Sequence, residues 1–190
     1  DSAIAAILNA LTPLLTLIFG LLFFHVKIQR NQFFGVGIGL IGSVGLIWGG
    51  IHTASNINPL YTILIFAASC CYAINIHFIK THLAQVGVMA ITLGNFVFMA
   101  PAALVVLIFS DFFTAQTFSH PEIYPAIGYI TILALAGSAF AKYLFNKFVK
   151  ITSAVFASSV TYTLPVVALF WGVYDGEVIT KFQLLSTAVI

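Results

Sequence analysis

Residues 142–177 read KYLFNKFVKITSAVFASSVTYTLPVVALFWGVYDGE. Lys142, Lys147 and Lys150 precede an uncharged apolar run from Ile151 to Tyr174, and the run ends on Asp175 and Glu177. A helix needs about 20 such residues to cross the hydrocarbon of a bilayer. The two ends of the run differ in charge sign, and the rest of the chain repeats the contrast. Six short polar breaks separate its apolar stretches. The first, third and fifth carry Lys27 and Arg30, then Lys80 with His82, then the three lysines. The second carries no basic residue, the fourth Asp111 and Glu122, and the sixth Asp175 and Glu177 with Lys181. Six of the seven Lys and Arg residues therefore fall on one alternating set, and every acid except Asp1 falls on the other. Short cytoplasmic loops keep Lys and Arg. A chain threaded back and forth through a bilayer sorts its charges in this way, with its start outside.

Composition agrees. Hydrophobic residues make up 61% of the 190 and charged residues 6%, against about 25% charged in an average soluble domain. Mean hydropathy is +1.10. The net charge of +2, with no basic cluster, gives no footing for nucleic acid. Cys70 and Cys71 are adjacent in an apolar run, which suits small buried hydrophobes better than a disulfide or a metal site. The chain opens on Asp1 without a leader and stops inside an apolar run at Ile190, so the reading is an internal piece of a longer membrane protein.

The expected spans are Ala3–Phe24, Phe33–Gly50, Pro59–Ile79, Val86–Phe109, Ile123–Phe145 and Ile151–Tyr174, with a seventh starting near Phe182. The fold class is all-α: a polytopic transmembrane helical bundle of about six complete spans plus part of another. No alternating short strands suggest a β-barrel. The break Ser110–Glu122, with Phe112, Phe113 and Phe118, is expected to rest on the outer interface, and Trp48 and Tyr124 to sit near interfaces. The second span holds Gly35, Gly37, Gly39, Gly42 and Gly45, and Gly35 with Gly39 makes a small-xxx-small pair for close helix approach.

The first and sixth spans resemble each other. Pro13, Leu17 and Gly20 match Pro165, Leu169 and Gly172, and Ala5 matches Ala157 at the same offset. Ser2-Ala3 matches Ser153-Ala154 and Gln32 matches Gln183 after a one-residue slip. Five spans separate the two starts, and an odd number reverses direction. The repeat is thus inverted, an architecture of many secondary transporters.

The stretch Leu144-Phe145-Asn146-Lys147, Thr152-Ser153-Ala154, Ala157-Ser158-Ser159-Val160, Tyr162, Pro165-Val166-Val167-Ala168, Trp171-Gly172 and Gly176-Glu177 resembles the last third of an EamA-like transporter of the drug/metabolite transporter superfamily. Ala5-Ala6-Ile7-Leu8, Leu11-Thr12-Pro13-Leu14, Gly35 and Gly42 resemble the matching part of the first repeat. The resemblance implies a ten-helix protein of two inverted five-helix repeats. Residues 1–51 would be the last two helices of the first repeat, and residues 57–190 the second repeat, truncated in its final helix. It also implies similarity to exporters of small metabolites, amino acids included. The Gly-Glu that ends the fourth helix of a repeat stands at Gly176-Glu177 but is replaced near Phe24-His25 in the first copy.

No catalytic motif, membrane carboxylate pair or His-Glu zinc motif is present in the sequence, and the reading invokes no cofactor and no metal. Polar side chains inside spans are the candidates for solute contact. Asn9, Thr12 and Thr16 share a helical face beside Pro13. Tyr72 and Asn75 form a second stripe, Thr92, Asn95 and Met99 a third, and Ser158 and Tyr162 a fourth, one turn before Pro165. Pro13, Pro101 and Pro165 are expected helix kinks. Lys142 stands where the family has an apolar residue. It is either a lysine snorkelling to the interface or a contact for an anion or carboxylate at the cytoplasmic mouth. His77 is expected near the interface, and Trp171 in packing or anchoring. The expected function is alternating-access transport of a small organic solute, an amino acid or related metabolite, across the cytoplasmic (inner) membrane. Few midplane charges favour a zwitterionic or neutral solute. Expected partners are that solute and the lipid bilayer, no nucleic acid, and a second copy in a homodimer among the admitted assemblies. The alternatives are a membrane-embedded enzyme acting on a lipid or isoprenoid and a non-transporting membrane subunit.

Overall fold

Lipid offers no hydrogen bonds, so a chain of this composition must satisfy its peptide groups within helices. The computed structural model describes residues 8–50, 59–114, 118–119, 121–174, 176 and 180–190. Among the described residues every regular element is helical: α1 (Leu8–Leu22), α2 (Arg30–Gly50), α3 (Pro59–Thr81), α4 (Val88–Phe109), α5 (Ile123–Ile151), α6 (Ala154–Tyr174) and α7 (Lys181–Val189). The all-α polytopic fold expected from the sequence is the one seen. Four of these helices, α3 to α6, contain segments long and apolar enough to cross a membrane. Ser2, Ala3, Ala5, Ala6, Ile7, Asp175 and Glu177, on which part of the repeat and charge argument rests, lie outside the described residues, as does the side chain of Trp48.

The fifth polar break is not a loop. α5 continues 29 residues to Ile151, about 43 Å, and so outruns a hydrocarbon core of about 30 Å. Its tail is amphipathic: Asn146 and Val149 are buried while Leu144 and Lys147 are exposed. That buried face packs on α4, so the helix persists after its apolar run ends. Lys150 in its last turn, like Lys80 in the last turn of α3, suits the negative end of a helix dipole. Ser153 then caps α6, its side chain accepting from Phe156 N–H at 3.1 Å.

The chain forms two compact units. The first comprises α1, α2, α3, α6 and α7, and the second α4 and α5. In the first, Leu17, Val36 and Val155 from α1, α2 and α6 make a buried apolar cluster. Small residues let α2 and α7 approach: a Cβ on Gly42 would lie 2.7 Å from Ile190 Cγ1, and one on Gly45 2.8 Å from Ser186 Oγ. As numbering rises along α2 it falls along α7, so these two helices run antiparallel. The expected Gly35–Gly39 pair behaves differently. A Cβ on Gly39 would land on the Tyr162 ring, whereas nothing stands within 4 Å of one on Gly35. Close approach thus runs through Gly39, Gly42 and Gly45, because Gly35 faces open space.

The two stretches matched in the sequence share some local geometry. Two residues before Pro13, Leu11 N–H donates to Leu8 O at 3.1 Å, a tight i−3 bond. Two residues before Pro165, Thr163 N–H donates to Val160 O in the 3₁₀ turn Val160–Tyr162 that interrupts α6. Both prolines thus sit just beyond a tightened turn, as a residue lacking an N–H requires. Pro101, by contrast, lies inside an uninterrupted α4. Gln32 Oε1 accepts from Gln29 N–H at 3.2 Å, and Gln183 Oε1 accepts from Thr180 N–H at 2.9 Å, the same cap at matched positions. After the proline helices the chain turns through positive φ in both copies, +90° at Gly176 and +49° at His25. His25, not a glycine, holds the positive φ in the first of these stretches.

In the second unit α5 widens into a π-helical stretch over Leu133–Phe140, where Ala141 N–H reaches back five residues to Ala136 O. Beyond α4, Phe112 stacks edge-on with Phe113 and Phe118, giving the extracellular break an aromatic cluster. Cys70 is half-buried and Cys71 exposed, so the second does not fill the buried role expected of it.

A side chain in the left-handed region costs roughly 1–2 kcal/mol. His25→Gly is therefore expected to raise the thermal midpoint of the folded protein, by a free-energy gain of about 1 kcal/mol. An unchanged or lower midpoint would count against strain at His25. Gly39→Ala is expected to lower it through overpacking of about 1–3 kcal/mol, while Gly35→Ala leaves it unmoved. Thermal unfolding in detergent compares the pair.

Candidate functional site

The polar stripe of α1 passes from surface to core: Asn9 is exposed, Thr12 and Thr16 are buried. Thr16 Oγ1 donates to Thr12 O at 2.8 Å, which commits its proton to its own helix. On α3, Ser69 Oγ lies 3.4 Å from Asn9 Oδ1 and 3.1 Å from Ile65 O, and Tyr72 and Asn75 come on the next turn, both half-buried. Asn9 and Ser69 are thus brought together at the α1–α3 contact, while Thr12 and Thr16 turn into it. Ser158 of α6 is fully buried and donates to Val155 O at 2.8 Å. Its hydroxyl, like that of Thr16, serves its own backbone.

His77, expected near the interface, is buried within the protein. It is fully buried, stacked on Phe24 with ring centroids 4.8 Å apart, and it covers Gly20, where a Cβ would lie 2.8 Å from the imidazole. Its Nε2 stands 2.7 Å from Thr16 O. A carbonyl can only accept, so Nε2 carries the proton and Nδ1 is left as a buried acceptor without a partner among the described residues. The glycine in the neighbouring helix α1 opens the space that takes His77 inward, a pairing invisible along one chain segment.

Between α2 and α6 lies a half-open groove of about 550 Å³, within the range of small-molecule sites. Asn31, Gln32, Gly35 and Gly39 line one wall, Val155, Phe156, Ser159, Val160, Tyr162 and Thr163 the other, and Ile190 closes one end. No charged side chain lines it among the described residues. Tyr162 belongs to the expected set; its hydroxyl donates across the groove to Val36 O at 3.0 Å and its ring covers Gly39. Gln32 Nε2 donates to Ser153 Oγ at 2.9 Å and ties the mouth. The remaining polar walls, Asn31, Ser159 and Thr163, are not among the residues singled out from the sequence. Ser159 and Thr163 share a face at i, i+4, and that spacing was the available signal.

In the second unit the site residues fall on the α4–α5 contact. Asn146, fully buried, donates from Nδ2 to Thr92 Oγ1 at 3.0 Å, and Thr92 in turn donates to Val88 O at 2.9 Å. Asn95 stands one turn along α4 from Thr92, and Lys142 one turn back along α5 from Asn146; both are half-buried. Met99, the last member of the α4 stripe, is exposed. Lys150 Nζ donates to Val86 O at 2.6 Å at the other end of the contact. Trp171 is exposed and packs edge-on against Tyr174.

The chain is 32% identical over its whole length to the "Uncharacterized inner membrane transporter YedA" of Escherichia coli K12, and equally to the proteins of that name in strains O6:H1 and O157:H7. It spans 59% of the length of these curated relatives. No solved structure matches it. The EamA-like transporter family matches residues 1–48 and 59–190. With its helices of membrane-crossing length and apolar composition, this multi-pass membrane protein belongs to the EamA-like transporter family.

Proposed function

We propose that the protein is a secondary transporter that moves a small organic metabolite, an amino acid or related solute, across the cytoplasmic (inner) membrane by alternating access. One observation carries the reading. Two stretches of the chain share a proline turn, a glutamine cap and a positive-φ exit, and the span count of the sequence sets them in opposite directions. Inverted repeats of this kind give a protein two related conformations, each the mirror in topology of the other, which alternating access exploits. The relatives' printed name, an inner membrane transporter, supports the same class and location.

The hydrogen bonds sort the candidate contacts. Thr16 and Ser158 commit their hydroxyls to their own helices and hold the α1–α3–α6 core. Asn9, Tyr72 and Asn75 on the first unit, and Asn95 and Lys142 on the second, keep part of their surface outside it. Tyr162 joins α2 to α6 through one hydroxyl, so it couples helices of the two repeats. A membrane hydrogen bond of this type contributes about 0.6 kcal/mol on average, weak enough to remake during each cycle.

Uptake of a panel of labelled amino acids and neutral metabolites into vesicles holding the full-length protein tests the reading. Saturable flux of at least one solute is expected; its absence for all of them, with folding shown by thermal unfolding, sinks the proposal. Alanine at Asn9 or Tyr162 is expected to reduce flux more than assembly. If both variants lose expression in proportion to flux, those side chains are packing elements.

A further inference from the structure

The imidazole of His77 fills a slot in the α1–α3 contact made by three residues spaced four apart. Thr16 O takes the Nε2 proton at 2.7 Å, Gly20 leaves the room, and Phe24 stacks on the ring at 4.8 Å. Nδ1 faces the opposite way, buried and without a partner among the described residues. The charged and titratable groups around the slot offer it no counter-ion. α1 presents none, and neither do the first turns of α6, Ala154–Ser159, which also pack on α3. α3 itself carries Cys70, Cys71 and Tyr72 before His77 and Lys80 after it. His25 and Lys27 follow α1, and both are exposed. No Asp or Glu occurs on α1, α3 or α6.

A neutral ring suits this slot: it has one proton to give, and one acceptor takes it. A second proton would sit on Nδ1. It would bury an N–H donor without an acceptor and a positive charge without a partner, and both are costly. The closed contact and the doubly protonated ring therefore exclude each other. The ring can take that proton only by leaving the slot, which uncovers Gly20 and breaks the bond to Thr16 O. At the other end of the same contact Ser69 Oγ lies 3.4 Å from Asn9 Oδ1, a tie that no proton in this range affects. Pro13, without an N–H to hold the preceding turn, stands between the two ties.

We propose that His77 is a proton-operated latch between α1 and α3, shut when the ring is neutral and released by acid, which frees the part of α1 beyond Pro13. The released form binds one proton more than the shut form, so the shut form loses ground as pH falls. The loss reaches up to about tenfold for each unit below the ordinary imidazole value of about 6.5. α1 also carries Asn9, so the latch makes the conformational equilibrium of the protein depend on pH, whatever solute it moves.

The test is hydrogen–deuterium exchange of the full-length protein in nanodiscs between pH 8 and pH 5, corrected for the intrinsic pH dependence of exchange. Amides of Leu17–Phe24 are expected to be protected at pH 8 and to exchange roughly 10-fold faster at the acid end. His77→Gln keeps a donor for Thr16 O and cannot take the proton, so its protection is expected to persist at both ends. Gly20→Ala, whose Cβ would stand 2.8 Å from the ring, is expected to exchange fast already at pH 8. His25→Gln and His82→Gln are expected to respond as the wild type does. Nitrogen NMR of the wild-type ring supplies a reading that needs no variant to fold: the neutral form protonated at Nε2 at pH 8, lost in step with the rise in exchange. Three results overturn the proposal: no acid-induced rise in Leu17–Phe24, a rise that persists in His77→Gln, or a doubly protonated ring in a segment that stays protected.

Discussion

Hydrocarbon cannot hydrogen-bond a peptide, and the rest of this structure depends on that one restriction. With 6% charged residues the chain has little polar surface to place in water, and its described regular elements are helices. The same restriction governs the side chains. Thr16, Thr92, Ser158 and Thr163 each donate to a carbonyl three or four residues back in their own helix. Hydroxyls that satisfy themselves can be carried in apolar surroundings at small cost. Bonds between helices are fewer and therefore informative: Tyr162 to Val36 O, His77 to Thr16 O, Gln32 to Ser153 and Asn146 to Thr92.

Helix contact in lipid comes from close packing rather than from expulsion of water. Gly42 and Gly45 let α7 in, Gly39 admits the Tyr162 ring, and Gly20 admits His77. Gly20 and Gly39 each meet a single ring, whereas Gly42 and Gly45 meet backbone and side chains of α7 and Ile190. Gly35 has no such neighbour, and the space it leaves belongs to the groove between α2 and α6. Small residues therefore serve two ends here, contact and cavity, and spacing does not tell them apart.

The two halves have diverged in sequence more than in geometry. His25 occupies the left-handed position that Gly176 holds in the other copy, and Gln29 stands where Thr180 begins the matching cap. Side chains changed while the backbone path at the proline turn, the helix exit and the next helix start was kept.

The helical membrane class and the family were legible in the sequence, because apolar length and short motifs are properties of one segment at a time. The polar stripes were legible too, as faces at i, i+3 and i+4. Which members of a stripe are open and which are sealed was not. Asn9 and Thr16 share a face, yet one is exposed and the other buried, because the neighbouring helix α3 covers only part of α1. The extension of α5 to Ile151 was hidden by its lysines, because only the tertiary structure shows Asn146 and Val149 held against α4. That His77 is buried against Gly20 of another helix was not legible beside Lys80. The sequence by itself determined that the chain is an all-helical membrane protein of the EamA-like family. Only the tertiary structure decided which polar atoms make their bonds inside one helix and which, as at Asn146 Oδ1, remain unmet, because that balance depends on partners far apart in the chain.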